Sequence, residues 1–176
     1  MKDNYDLSKL SSPKKKRINS KAKGSTFERN IAKMLNERFN TKEFARSPGS
    51  GAFATTHTLP EHLKLYGDLI APLGFGFVLE CKAGYDKENL GGFFTKNSGI
   101  KKFIEQANTD AVKAKKDFMV VFKQSRKDIL CILDYSKTVL DKLNSSSTEY
   151  LLISNKYLCL RFEDLLLFSD SFFFTE

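Results

Sequence analysis

Asp68, Glu80 and Lys82 are the side chains best placed to do chemistry together. They stand in Gly67-Asp68-Leu69-Ile70 and Leu79-Glu80-Cys81-Lys82, and the small-residue loop Pro72-Leu73-Gly74-Phe75-Gly76 lies between them. Two apolar runs around such a loop predict a β-hairpin. If Ala71 pairs with Phe77, antiparallel counting puts Asp68 opposite Glu80 on one face, and Lys82 shares that face. Facing carboxylates destabilise a hairpin unless a cation lies between them. A hard divalent cation such as magnesium takes carboxylate and carbonyl oxygens, so Asp68, Glu80 and the Cys81 backbone carbonyl would supply part of its shell. Such a metal polarises a phosphate, while Lys82 would orient or deprotonate the attacking water. The plain alternative is a surface ion pair between Glu80 and Lys82 with Asp68 in a turn, since acid-x-lysine after an apolar run is common by chance.

Other residues are weaker signals alone. Ser25-Thr26-Phe27-Glu28 has capping-box spacing, which would occupy Glu28 with the amide of Ser25 at a helix start. Arg29 and Lys33 fall on the exposed flank of that helix and suit either solvent or phosphate. Arg46-Ser47-Pro48-Gly49-Ser50-Gly51 combines a forked cation, hydroxyls and flexible backbone that suit a phosphate, though such loops also serve as ordinary connections. Gln106 beside Glu105 reads by default as solvent-facing. His57 and His62 lack partners at zinc-ligand spacing. Cys81, Cys131 and Cys159 sit in apolar runs and read as buried core thiols of a reducing compartment.

The elements that must position these residues follow from periodicity. Residues 1–23 are polar and lysine-rich around Lys14, Lys15, Lys16 and Arg17, and read as a flexible basic arm that contacts DNA or, alternatively, acts as an import signal or solubilises the chain. Phe27, Ile31, Met34, Leu35 and Phe39 form a helical stripe starting at Ser25. Phe44-Ala45-Arg46 reads as a short strand, and residues 53–66 as a long loop. Residues 83–98 are rich in glycine, lysine and aromatics, with a turn at Gly91-Gly92-Phe93-Phe94. Ile100, Phe103, Ile104, Ala107 and Ala111 mark a second helix ending near Lys116. Strands are predicted at Phe118 to Phe122, Asp128 to Leu133, Tyr150 to Ile153 and Tyr157 to Phe162, with a short helix at Val139 to Leu143. The order gives an α/β fold with a mixed sheet. One domain is expected over residues 24–176, with its core in 24–135 and an extension in 136–176. The Phe172-Phe173-Phe174 tail is expected to pack on the core or at a dimer interface.

The chain of 176 residues carries a net charge of +8 and a pI near 9.3, which points to a polyanionic partner. No apolar run approaches a membrane span and the N-terminus is polar, so neither a spanning helix nor a secretory signal is expected. A cytoplasmic or nucleoid location follows, or a nuclear one if the Lys14 to Arg17 cluster is an import signal.

Taken in order, Lys23-Gly24-Ser25-Thr26-Phe27-Glu28-Arg29-Asn30-Ile31, Arg46 to Gly51, Gly67-Asp68, Glu80-Cys81-Lys82 and Gln106 resemble the archaeal-type Holliday junction resolvases of the PD-(D/E)XK nuclease superfamily. The resemblance implies a restriction-endonuclease-like core, a mixed central β-sheet flanked by helices. It implies Mg2+ or Mn2+ held by Asp68, Glu80 and the Cys81 carbonyl, with Glu28 joining through water, and a homodimer cutting four-way DNA junctions in recombination or repair. It makes Lys82 the catalytic lysine, Glu28 and Ser50 site residues, and Gln106 their support. Lys23, Arg29, Arg46 and Ser47 would then contact DNA near the scissile phosphates. Glycine stands where proline usually precedes Asp68, and the segments before Gly67 and after Lys82 are long. The alternatives are the same fold acting on nicks, flaps or ends, and a non-catalytic DNA-binding module.

Overall fold

The structure, a computed structural model, describes residues 20–48, 65–86, 88, 93–95, 98–135, 143 and 148–175. The Lys14 to Arg17 cluster, Ser50, both histidines and most of the two long segments lie outside them.

Helix α1 spans Ser20–Arg38 and buries Phe27, Ile31, Ala32 and Leu35. It begins earlier than its stripe suggested. Ser25 is therefore inside the helix, its neighbouring amides already bonded, and the capping role predicted for Glu28 is corrected. Residues 20–23, assigned to the arm, are helical.

Strands β1 (Ala45–Arg46) and β2 (Leu69–Ile70) pair antiparallel, Ala45 with Ile70 and Arg46 with Leu69. This corrects the predicted hairpin, because β2 takes its ladder from β1 and not from β3 (Phe77–Ala83). The five-stranded main sheet runs β3, β4 (Asp117–Lys123), β5 (Ile129–Asp134), β7 (Tyr157–Arg161), β6 (Tyr150–Ile153). Only β3 and β4 are parallel. A parallel pair needs a crossover, and α2 (Gly99–Ala114) supplies it, capped by the Ser98 hydroxyl. The mixed sheet flanked by helices is the expected fold class.

Strand alternation divides the core. Phe77, Leu79, Cys81, Met119 and Val121 face α1, whereas Val78, Val120 and Phe122 lie under Ile100, Phe103, Ile104 and Ala107 of α2. Burial on both faces explains the unbroken apolar run of β4. The tail, with short helices α3 (Phe162–Leu165) and α4 (Asp170–Phe173), packs on the α1 side. Phe173 meets Phe39 and Phe75 at ring-centroid distances of 5.1 and 6.3 Å, and Phe174 bridges to Phe75. Arg38 holds it there by donating to the carbonyls of Leu166 and Phe168 and pairing with Asp170.

Candidate active site

The site forms along the free edge of β3. Gly67 adopts a left-handed conformation (φ +74°), which turns the chain so that the Asp68 amide donates to the Leu79 carbonyl at 2.8 Å. The Asp68 carbonyl accepts from the Ser47 amide at 2.9 Å, tying β1 to the same point. The Asp68 carboxylate then accepts from the Cys81 amide at 2.8 Å. An N–H and a C=O of one strand residue point to the same edge. The Cys81 carbonyl therefore faces the Asp68 side, away from β4.

Glu80 and Lys82 share the α2 face of β3, as alternation required. Lys82 Nζ pairs with the Glu80 carboxylate and donates to Gln106 Oε1 of α2 at 3.4 Å, so Gln106 touches Lys82 although it is exposed. Lys82 also lies over the Phe103 ring, 5.5 Å from its centroid. Glu28 reaches the site from α1 and forms an ion pair with Arg46. Arg46 is placed by Asn36, whose side-chain amide grips both the N–H and the carbonyl of Phe44 at 3.0 and 2.8 Å. Nothing in the sequence pattern marked Asn36 as an anchor.

Asp68 and Glu80 are 7% and 1% exposed. Burial raises the pKa of Asp68 against the opposing Cys81 hydrogen bond and Lys82 charge. Burial, then the charge of Asp68, pushes Glu80 up to about 7 despite Lys82. Burial works against a charged Lys82, but the Glu80 carboxylate outweighs it and raises the lysine, which stays protonated. The buried Cys81 thiol is pushed up by desolvation and then by Asp68 and Glu80, so it is no nucleophile.

This donor set fits a hard divalent cation. The Asp68 charge raises the proton affinity of buried Glu80 beside a carbonyl on the strand edge, and a cation offsets that repulsion. Among the described residues no three carboxylate, histidine or cysteine side chains converge on one point. Glu28 is engaged by Arg46 and not joined to that set.

The expected DNA contacts are unequal. Lys23 and Arg29 are exposed on α1, Lys23 bonding the Ser125 hydroxyl at 3.3 Å and Arg29 the Ser25 hydroxyl at 3.3 Å. Ser47 is corrected: it is 2% exposed, its hydroxyl without a hydrogen-bond partner among the described residues, so no phosphate reaches it from solvent in this arrangement.

Residues 19–169 match a family described as "Phage putative PDDEXK endonuclease". The chain belongs to this family. The match supports the nuclease superfamily and does not extend to the archaeal-type resolvase branch. A relative, Protein D14 of Escherichia phage T5, is 29% identical over 134 residues, 73% of this chain and 79% of the relative. No solved structure matches. No helix among the described residues is long and apolar enough to cross a membrane.

Proposed function

We propose that this family member is a metal-dependent DNA endonuclease that hydrolyses phosphodiester bonds in branched DNA, four-way Holliday junctions included. The observation carrying this reading is the pair of buried carboxylates, Asp68 and Glu80, set beside protonated Lys82 on an open strand edge. A DNA-binding surface gains nothing from burying carboxylates where phosphates must approach.

Mg2+ or Mn2+, held by Asp68, Glu80 and the Cys81 carbonyl, would polarise the scissile phosphate and acidify water. The chain's own residues do the rest. Asp68 is oriented by the Cys81 amide, so its second oxygen is left to face the site. Lys82, being protonated, donates a hydrogen bond to the attacking water or to the phosphate and offsets the charge that develops there. Gln106 restrains the Lys82 ammonium from the α2 side. Arg46 and Glu28 form a second charged pair that a phosphate can open, because a guanidinium binds phosphate as readily as carboxylate. Paired cuts in opposed strands would require a homodimer.

The test incubates protein with magnesium or manganese and labelled four-way, flap, nicked and linear duplexes, beside Asp68→Asn and Lys82→Ala. Paired incisions in the four-way junction, abolished by both substitutions, support the reading. Cutting confined to nicks, flaps or ends moves the substrate assignment. Binding without cutting under either metal refutes an enzyme.

A further inference from the structure

Tyr85 stands three residues past Lys82, just beyond the end of β3, and is 47% exposed. Hydrogen bonds hold the backbone before and after it. Gly84, at φ +83°, donates its N–H to the Lys123 carbonyl at 3.1 Å, and the Tyr85 carbonyl accepts from the Glu88 amide at 3.0 Å. Asp86 accepts from the Ser125 amide and hydroxyl at 2.6 and 2.8 Å. The Tyr85 ring makes an edge-to-face contact with Phe103, centroids 4.8 Å apart, and Phe103 is the ring beneath Lys82 Nζ. Such a contact takes up one side of the ring, and nearly half of Tyr85 remains accessible to solvent. Lys23 lies against Gly84, where an added Cβ would come within 2.9 Å of its Nζ. A cation and a half-exposed aromatic ring thus lie just past the end of β3, close to Lys82. That is the pairing that binds single-stranded DNA, one group for the backbone and one for the base.

We propose that Tyr85 stacks on a nucleobase next to the scissile phosphate, and that the site therefore selects DNA carrying an unpaired base at that position. This rests on the endonuclease reading above and names its substrate class. Inside an intact duplex both faces of every base are covered by neighbours. Only a base freed at a branch, a flap or a frayed end can lie on Tyr85, and Lys23 then sits within reach of its phosphate.

The experiment uses the full chain with oligonucleotides that carry one fluorescent adenine analogue, quenched by stacking, in a single strand, at an unpaired branch position or inside a perfect duplex. Binding and quenching are read in EDTA, and cutting is read in magnesium. Wild type and Tyr85→Phe should quench the unpaired analogue. Tyr85→Ala should lose the quenching, bind and cut unpaired substrates about tenfold less well, and treat the perfect duplex as wild type does. If wild type cuts and Tyr85→Ala matches it on every substrate, the stacking assignment is overturned while the nuclease reading stands. If wild type binds and quenches but cuts nothing under any divalent metal, the nuclease reading falls and the stacking assignment stands. Uniform loss on all substrates with a lowered melting temperature would make Tyr85 a cover for Phe103 and overturn the assignment.

Discussion

A side chain at Gly67 should disable this site from outside it. The position is left-handed, and a Cβ there would lie 2.5 Å from the Leu79 carbonyl oxygen and 2.8 Å from Val78 Cγ1. Neither neighbour is free to retreat, since Leu79 O holds the Asp68 amide at 2.8 Å and Val78 is packed under α2. For Gly67→Ala the backbone strain costs about 1–2 kcal/mol. Relieving the contact stretches or breaks the Asp68 hydrogen bond, for roughly 1 kcal/mol more. A total near 2–3 kcal/mol should lower the melting temperature by about 5–10 °C for a chain of this size. The carboxylate moves with its backbone, and a displacement of ~1 Å at a reacting centre costs about a hundredfold in rate.

Gly67→Pro is the sharper perturbation. Proline usually stands before this aspartate in the resembling nucleases, yet its ring holds φ near about −65°, on the opposite side of zero from the +74° found here. Restoring the usual residue should therefore harm this protein more than alanine does. Gly67→Asn separates the causes, because asparagine tolerates left-handed backbone but still carries a Cβ. Asparagine better than alanine assigns the loss to strain, and equal losses assign it to the contact with Leu79. Melting curves and junction cleavage measure both. A Gly67→Pro protein that melts and cuts like wild type would refute the whole argument.

Three further outcomes follow from the same geometry. In EDTA, Glu80 binds its proton more tightly folded, at about 7, than at its ordinary 4.5, so stability is highest below the lower value and falls as pH rises through the upper one. The loss is of order 3 kcal/mol, Asp68 adds to it in the same direction, and melting curves from pH 5 to about 8 should flatten in Glu80→Gln; parallel curves for the two proteins would contradict this. Arg38→Ala removes bonds to two carbonyls and Asp170, costs about 2 kcal/mol, and should release residues 162–175 first in hydrogen exchange; unchanged protection there would show that the aromatic tail holds itself. Arg46→Ala leaves the buried Glu28 carboxylate without its cation and should cost about 1–3 kcal/mol, most of it restored by adding Glu28→Gln in a double-mutant cycle; no coupling would mean that the pair is not formed in solution.

What the sequence could disclose depended on how far each contact reaches along the chain. Glu80 and Lys82 lie two apart in one strand, so alternation alone set them on a common face whatever β3 paired with. The runs of β4, β5 and β7 and the stripe of α2 were equally readable, because burial on a face writes its own period. Asp68 was different. The apolar runs around Pro72 to Gly76 suggest a hairpin, but β2 is only two residues long and takes its ladder from β1, while Asp68 just before it bonds the Leu79 carbonyl of β3. Its ladder partner, β1, is set by Asn36 on α1, and no local pattern encodes that. The same holds for Glu28. Ser25 and Glu28 have capping spacing, but Lys21, Ala22 and Lys23 favour helix and offer no stop before them, so the chain is already helical at Ser20 and Glu28 is left for Arg46. Capping was the stronger local reading, the site role came only with the resemblance, and the tertiary contact with Arg46 is what takes Glu28 out of a cap. The weak motifs are spread over or next to α1, β1, β2, β3 and α2, elements far apart in sequence that come together around β3. Their order therefore carried more information than any one of them, since it reflects the fold that brings them together.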